Sequence, residues 1–467
     1  MVSRRRFLRL GTGAVTATAA AGCIGSSHGG DDTVPVTDAS DSTDGTTTGG
    51  NGDESASPLE LPEWDPDWTL SFDGPNVLGV DADGAGPLFV TLSDDGGDAP
   101  SSAVVAVDPA ERSVRWRTEI RGEAVAGSHA AARGVARGRW GATLSDDALY
   151  AVAGRTDERE WTALHALDRS TGERRWSLER GRELGVAGRS EGLVVAAGTE
   201  FFPPPGVTPT SHQTPEDPLT TVVYGLGADD GSVRWTREFE AVSDVAVGDR
   251  STFVVASGRL VALGRDGETR FTLGGGAPAA RVETIDDRPY LLAGEDGGAT
   301  LSGVAPNGDV DWRVDAPVGE LLAGERRLYA GGDAVLAVDP DGTVRWRDDD
   351  YGKWLLLDPD GDTLYARSGV AADAATAYGA GGSNGGKRWT FDPPSRNAWP
   401  EAATEDSLAA TAITGDDADD PFYTVYSVTG DGEATKSLGV DTVFDALGRE
   451  ERVYLGDGES NLLALTP

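Results

Sequence analysis

Ala166-Leu167-Asp168-Arg169-Ser170-Thr171-Gly172-Glu173-Arg174-Arg175-Trp176 is the stretch that decides the fold. An apolar run ends in an aspartate, the chain turns through Thr-Gly, and a second run climbs to a tryptophan. This is the pattern of a β-hairpin with a short Gly-containing loop. The pattern recurs. Asp108 leads to Trp116, Asp229-Asp230-Gly231 to Trp235, Asp266-Gly267 to Phe271, Asn307-Gly308 to Trp312, and Asp339-Pro340-Asp341-Gly342 to Trp346. Weaker copies run from Ser383-Asn384-Gly385-Gly386 to Trp389 and from Gly430-Asp431-Gly432 toward Leu438. One unit cannot bury its own apolar face, so such a repeat marks a propeller or a solenoid. The 467 residues therefore count units, and one large domain is expected.

Within each unit a tyrosine or phenylalanine strand, such as Ala148-Leu149-Tyr150-Ala151-Val152, precedes an aliphatic strand that ends in the turn, and the Trp strand follows. Period-two alternation supports strands throughout, and helical spacing is absent over any length. Trp68-Thr69-Leu70-Ser71-Phe72 is a strand with no hairpin before it. At the other end, Arg452-Val453-Tyr454-Leu455 and Asn461-Leu462-Leu463-Ala464-Leu465 lack a Trp-bearing strand after them. Ring closure, with the N-terminal strand completing the last blade, removes both exposed edges. The repeated tryptophans are expected to pack at the junctions between blades.

Acids number 78 against 40 lysines and arginines, for a net charge of -38, and only Lys353, Lys387 and Lys436 are lysines. Phosphate binding needs a basic face, so nucleic acid is not an expected partner. A surface this acidic repels itself unless salt is high, and the composition reads as that of a halophilic, haloarchaeal protein. Cys23 is the single cysteine, which excludes an intramolecular disulfide and a cysteine metal cluster.

Ser3-Arg4-Arg5-Arg6-Phe7-Leu8-Arg9, followed by a weakly apolar Gly11 to Ala21 stretch, resembles a twin-arginine export signal in which Arg4 and Arg5 are the pair. Ala20-Ala21-Gly22-Cys23 resembles a lipobox, with Cys23 the lipid-bearing residue. The apolar run is too short and too rich in Gly and Thr to span a bilayer. Residues 24–62 are largely Gly, Ser, Thr and Asp, a composition that favours a disordered tether. The expected organisation is a signal peptide over 1–23, a tether over 24–62 and a propeller over 63–467, exported and anchored by lipid to the outer face of the cytoplasmic membrane as a monomer.

The stretch ending at Trp176, and its copy Asp339-Pro340-Asp341-Gly342 to Trp346, resemble the tryptophan-docking repeat of the pyrroloquinoline-quinone-type β-propellers. That group includes quinoprotein alcohol dehydrogenases and assembly lipoproteins of the BamB kind. The resemblance implies an all-β, closed β-propeller of four-stranded antiparallel blades. Trp68 through Trp389 and the weak copy at Leu438 count to about nine units. Family members usually have seven or eight blades, so eight is the expectation, with seven and nine as alternatives. Asp168, Gly172, Trp176, Asp339, Gly342, Trp346, Trp116, Trp235, Trp312 and Trp389 are the structural docking residues.

Chemistry is hard to find. The quinoprotein reading would bring the quinone (PQQ) and calcium, but Cys23 supplies neither the vicinal disulfide nor the haem motif that some of those enzymes carry, and no family calcium or base position maps onto this sequence. Gly188-Arg189-Ser190-Glu191-Gly192 fits a hydrolase elbow in letters but precedes a strand, where a strand-to-helix turn is needed. His28, His129, His165 and His212 lack metal-ligand spacing, and His165 reads as structural. Asp358-Pro359-Asp360-Gly361-Asp362 starts like a calcium loop but has Gly369 where an EF-hand has glutamate. Gly381 to Gly386 reads as a hairpin connection. The irregular loops, Phe201-Phe202-Pro203-Pro204-Pro205 through Pro218 and Asp416 to Pro421, are where binding is expected, with Phe201 and Phe202 the aromatics to watch. No catalytic, cofactor or metal residue is assigned. The expected function is a non-catalytic binding or assembly scaffold at the cell surface with an unknown protein partner or ligand; the alternatives are a PQQ-dependent dehydrogenase and a sugar- or peptide-binding module.

Overall fold

The computed structural model describes residues 61–82, 86–94, 101–124, 143–155, 161–180, 183–199, 220–274, 279–295, 298–368, 374–380, 385–393, 398–413, 423–443, 445–458 and 460–467. Arg4, Arg5, Cys23, Phe201 and Phe202 lie outside them, as do His28, His129 and His212.

The described residues form nine antiparallel sheets, each a blade. Blades 1 to 8 take residues 76–121, 123–180, 183–240, 242–273, 279–316, 320–348, 352–391 and 398–440, in chain order from the innermost strand to the outermost. Blade 2 shares its innermost position between Glu123–Ala124 and Thr143–Leu144. Blade 9 is built from both ends of the ring, Asp445–Arg449, Arg452–Gly456 and Asn461–Leu465 with Trp68–Ser71 outermost. The closing register is Trp68 opposite Ala464 through Ser71 opposite Asn461. The expectation of eight blades is thus corrected to nine: every Trp-type strand, the weak one near Leu438 included, is the outermost strand of its own four-stranded sheet.

Middle strands are covered on both faces by neighbouring blades, so they read as unbroken apolar runs. Ser251–Ala256 is buried at every position. Outermost strands alternate instead, as Val233–Glu240 does.

The repeat can be decoded atom by atom. Asp168 ends its strand and its carboxylate accepts from the Ser170 and Thr171 N–H groups at 2.9 and 3.0 Å, fixing the turn. Gly172 adopts φ +74°, and a Cβ there would lie 2.5 Å from the Trp116 ring of the preceding blade. Gly342 stands in the same way against Trp312. Next comes a β-bulge, present before the Trp position in eight of the described blades. The bulged residue is often arginine and clamps the aspartate: Arg175 to Asp168 at 2.7 Å, Arg115 to Asp108, Arg345 to Asp339. In blade 5 the charges are exchanged, with bulged Asp311 bound by Arg288 at 2.6 Å.

Each indole then reaches the next blade. The N–H of Trp116 donates to the Arg169 carbonyl at 3.2 Å, Trp176 to Ala228 at 2.9 Å, Trp235 to Arg265 at 2.8 Å, Trp312 to Pro340 at 3.0 Å and Trp389 to Gly430 at 2.8 Å. The acceptor is always the first residue of the neighbour's turn. Trp346 instead stacks on Tyr378 with centroids 5.4 Å apart, against Gly385. Within the blade the indole meets the tyrosine or phenylalanine of the second strand: Phe89–Trp116, Tyr150–Trp176 and Tyr365–Trp389 all lie at 5.9 Å.

The closing junction departs from the rule. Register places Lys436 in blade 8 where the other blades have Trp or, in blade 4, Phe271, opposite Ser427 just past the bulge, so Leu438 is not the tryptophan equivalent. Blade 9 has no turn between its two outer strands, because the chain ends meet there. Lys436 Nζ donates to the Thr466 carbonyl at 2.9 Å, and so does the indole of Trp64, also at 2.9 Å. Trp64 is 1% exposed and is tied to blade 8 through its own N–H and the Ser437 carbonyl at 2.7 Å.

Truncation of the fully buried Trp64 is expected to cost about 3–5 kcal/mol, read as a lowered midpoint in denaturant melts of Trp64→Ala. Arg112 holds φ 55° where six other blades place a positive-φ glycine four residues before the Trp position. Relief of that left-handed strain in Arg112→Gly should raise stability by up to about 1 kcal/mol in the same assay.

Candidate functional site

In an up-and-down sheet, the first-to-second and third-to-fourth connections fall at one end and the remainder at the other. One face of the ring therefore carries tight turns. The opposite face carries connections of very unequal length, from one residue at Ala241 to twenty between Thr199 and Thr220.

The innermost strands ring a central channel. Because neighbouring blades cover both faces of each sheet, an exposed side chain on an innermost strand stands at the channel. In blade 7 that strand is Gly352–Leu357, and a bulge between Lys353 and Leu356 sets Trp354 and Leu355 opposite a single partner residue. Leu355 is 5% exposed and joins the core beneath, its N–H held by Glu320 Oε2 at 3.1 Å. Trp354 takes φ 56° and is 55% exposed, the most exposed large apolar side chain among the described residues. A bulge redirects a side chain at some strain, and such features concentrate at functional positions.

Two cations flank it. Lys353 lies directly opposite Arg367, so like charges share one face of the sheet, a pairing that is unfavourable in itself. Each is laid on an aromatic ring: Arg367 over Trp399 at 4.7 Å, Lys353 over Tyr351 at 5.5 Å. Gly352-Lys353-Trp354 begins its strand and Arg367 nears the end of the next, which puts the cluster at the loop-face mouth of the channel.

Carboxylates stitch the innermost strands together. Asp445 accepts from the Val80 N–H at 3.0 Å, Asp244 from Val282 at 2.8 Å and Glu320 from Leu355, each across a blade junction. Asp244 is 3% exposed, and burial pushes its carboxyl up to about 7 against the opposing pull of the Val282 N–H and of Arg281. Sequence reasoning missed these acids, although Asp244 lies within and Glu320 begins an otherwise apolar strand, each four residues before a glycine, Gly248 and Gly324.

On the turn face a groove of about 670 Å³ is lined by Ala82, Ser145, Arg189, Ser190 and Asp249. Beside it Arg175 bridges Asp147 at 2.6 Å and Asp168 at 2.7 Å, and hydrogen bonds from Ser170 and Arg175 hold the Asp168 carboxyl well below the usual range. This is structural ion pairing. Ser190 closes the strand Glu183–Ser190 and turns through Gly192 into Leu193–Thr199, so no nucleophile elbow exists there. The Asp358 carboxylate accepts from the Asp362 N–H at 2.8 Å within a tight turn. Among the described residues no group of three or more His, Cys, Asp or Glu side chains converges as a metal site. His165 lies in the strand Trp161–Asp168, 6% exposed, with neither ring nitrogen hydrogen-bonded among the described residues.

One family model matches the chain, that of the outer membrane protein assembly factor BamB, over residues 68–204 and 220–355. No curated protein matches. Solved structures similar to this chain include BamB from Moraxella catarrhalis, 13% identical over 70% of this chain and 96% of that one with a TM-score of 0.45. Sqt1 from Saccharomyces cerevisiae is 10% identical over 87% of this chain and 100% of that one, at 0.48. Quinohemoprotein alcohol dehydrogenase from Comamonas testosteroni is 12% identical over 88% and 78%, at 0.45.

The two buried titrating groups give opposite pH dependences. Burial, then the Arg174 charge, brings His165 down from 6.5 to about 4, so below 6.5 only the unfolded chain takes the proton and stability falls toward pH 4. Asp244 keeps its proton up to about 7 when folded but loses it near 3.8 when unfolded, so its contribution fades as pH rises through that window. Thermal midpoints measured from pH 4 to 7 should lose the first slope in His165→Leu and the second in Asp244→Asn.

Proposed function

Because the chain belongs to the family of the outer membrane protein assembly factor BamB, we propose that it is a non-catalytic assembly scaffold that holds a protein partner against the loop face of its ring. The observation that carries this reading is the asymmetry of the disc. One face is locked by short turns, aspartate caps and arginine clamps, while the other gathers the long connections and an exposed indole at the channel mouth. A rigid support presenting variable loops is the arrangement of binding proteins. The charged cluster on the turn face, Arg175 with Asp147 and Asp168, is spent on internal ion pairs.

The proposal includes the setting. The Arg4-Arg5 signal would export the chain, and lipid on Cys23 would keep a monomeric ring at the outer face of the cytoplasmic membrane through the 24–62 tether. The family's outer-membrane surroundings are not part of it. The acidic, lysine-poor composition supports a working place at high salt.

Titration calorimetry with pyrroloquinoline quinone and calcium in molar salt should give no saturable heat; stoichiometric binding would overturn the scaffold in favour of a dehydrogenase. Cys23→Ser is expected to move the protein from the membrane fraction to the medium, and Lys at both Arg4 and Arg5 to retain it in the cell. Membrane association unchanged in the first variant would remove the anchor.

A further inference from the structure

We propose that Trp354 and Lys353, at the loop-face mouth of the channel, form a docking point for an extended segment of a partner polypeptide in which an aromatic or aliphatic side chain is flanked by carboxylates. This rests on the scaffold reading and names the partner's chemistry.

Three observations converge on it. First, the indole is set out deliberately in structural terms. Trp354 holds a left-handed φ of 56° that glycine would adopt without strain, and stays 55% exposed while its neighbour Leu355 is drawn into the core. Second, the charge beside it runs against the whole molecule. In a chain of net charge -38 with three lysines, Lys436 is bound to the Thr466 carbonyl and Lys387 to Asp350 at 3.2 Å, whereas Lys353 is held over the Tyr351 ring and faces Arg367 across the strand pair. Third, the nearby acids are engaged. Asp349 binds Arg347 at 2.6 Å, the Asp348 carboxylate accepts from the Asp350 N–H at 3.1 Å, and Glu320 is held on Leu355.

An apolar side chain laid on the indole covers its exposed face, and a carboxylate beside it meets the Lys353 ammonium. Tryptophan anchors of this kind are enriched among the residues that carry most of the binding energy at protein interfaces. The Lys353 ammonium, on a sheet face it shares with Arg367, sets the preference for acid.

The test uses the full chain and the labelled pentapeptide Asp-Asp-Phe-Asp-Asp, with Lys-Lys-Phe-Lys-Lys and Asp-Asp-Ala-Asp-Asp as comparisons, read by fluorescence anisotropy. The acidic phenylalanine peptide should bind at least about tenfold more tightly than either comparison. Trp354→Gly should weaken it by about tenfold or more without lowering the thermal midpoint, since glycine suits that φ. Lys353→Glu should abolish the preference for the acidic peptide. Equal binding of the acidic and basic peptides, wild-type affinity in Trp354→Gly, or quenching of Trp354 by maltoheptaose and by no peptide would each overturn the proposal. Affinity capture from native membranes separates this failure from the wider one. A partner still captured by Trp354→Gly would overturn this site and leave the scaffold standing, and capture of no partner by the wild-type chain would count against both.

Discussion

An indole pressed against a backbone that has no side chain is the contact on which the ring depends. Trp116, Trp176, Trp235 and Trp312 each lie on a positive-φ glycine of the next blade and donate to a carbonyl of the same turn. One residue thus supplies apolar burial, close approach and a directed hydrogen bond. The geometry leaves little freedom: the glycine must be left-handed, the aspartate must cap the turn that presents it, and the bulge must aim the tryptophan. Consistency among neighbouring requirements is what separates a specified fold from a merely compact one.

The same requirement explains the size of the ring. Each docking contact fixes the angle between successive blades, so blade number follows from how many turns present a glycine or its substitute. Arg112 substitutes by accepting the left-handed conformation, and Lys436 substitutes for the indole by carrying its donor on a flexible stem. Both sit beside the closing blade.

The fold was legible because the hairpin around Asp168, Gly172 and Trp176 carries its own geometry in its letters, and because Trp68 lacked a partner that residues 461–465 could supply. The count was less so: family habit favoured eight, while the sequence held nine Trp-type strands. The weak copy points toward Leu438, whereas register, which no single segment reveals, puts Lys436 at the docking position. Trp64 is a keystone that local sequence does not reveal, because the carbonyl its indole binds, that of Thr466, lies 402 residues away. The innermost strands gave the weakest signal. Their acids look like surface residues until the neighbouring blade's N–H groups are brought to them, and Trp354 is set apart only by a bulge that local sequence does not announce.

That the final blade is assembled from both ends of the ring has a consequence for how the molecule comes into being. Strand 68–71 emerges early in synthesis and has no mate until residues 461–466 exist. Eight sheets can form in turn while the first waits unpaired. In a flexible chain, joining points some 400 residues apart costs about 4 kcal/mol more than closing a local hairpin, a cost the sheets formed between them reduce. The last event of folding is therefore a single long-range annealing, and until it occurs the nascent chain offers two raw edges to any passing strand.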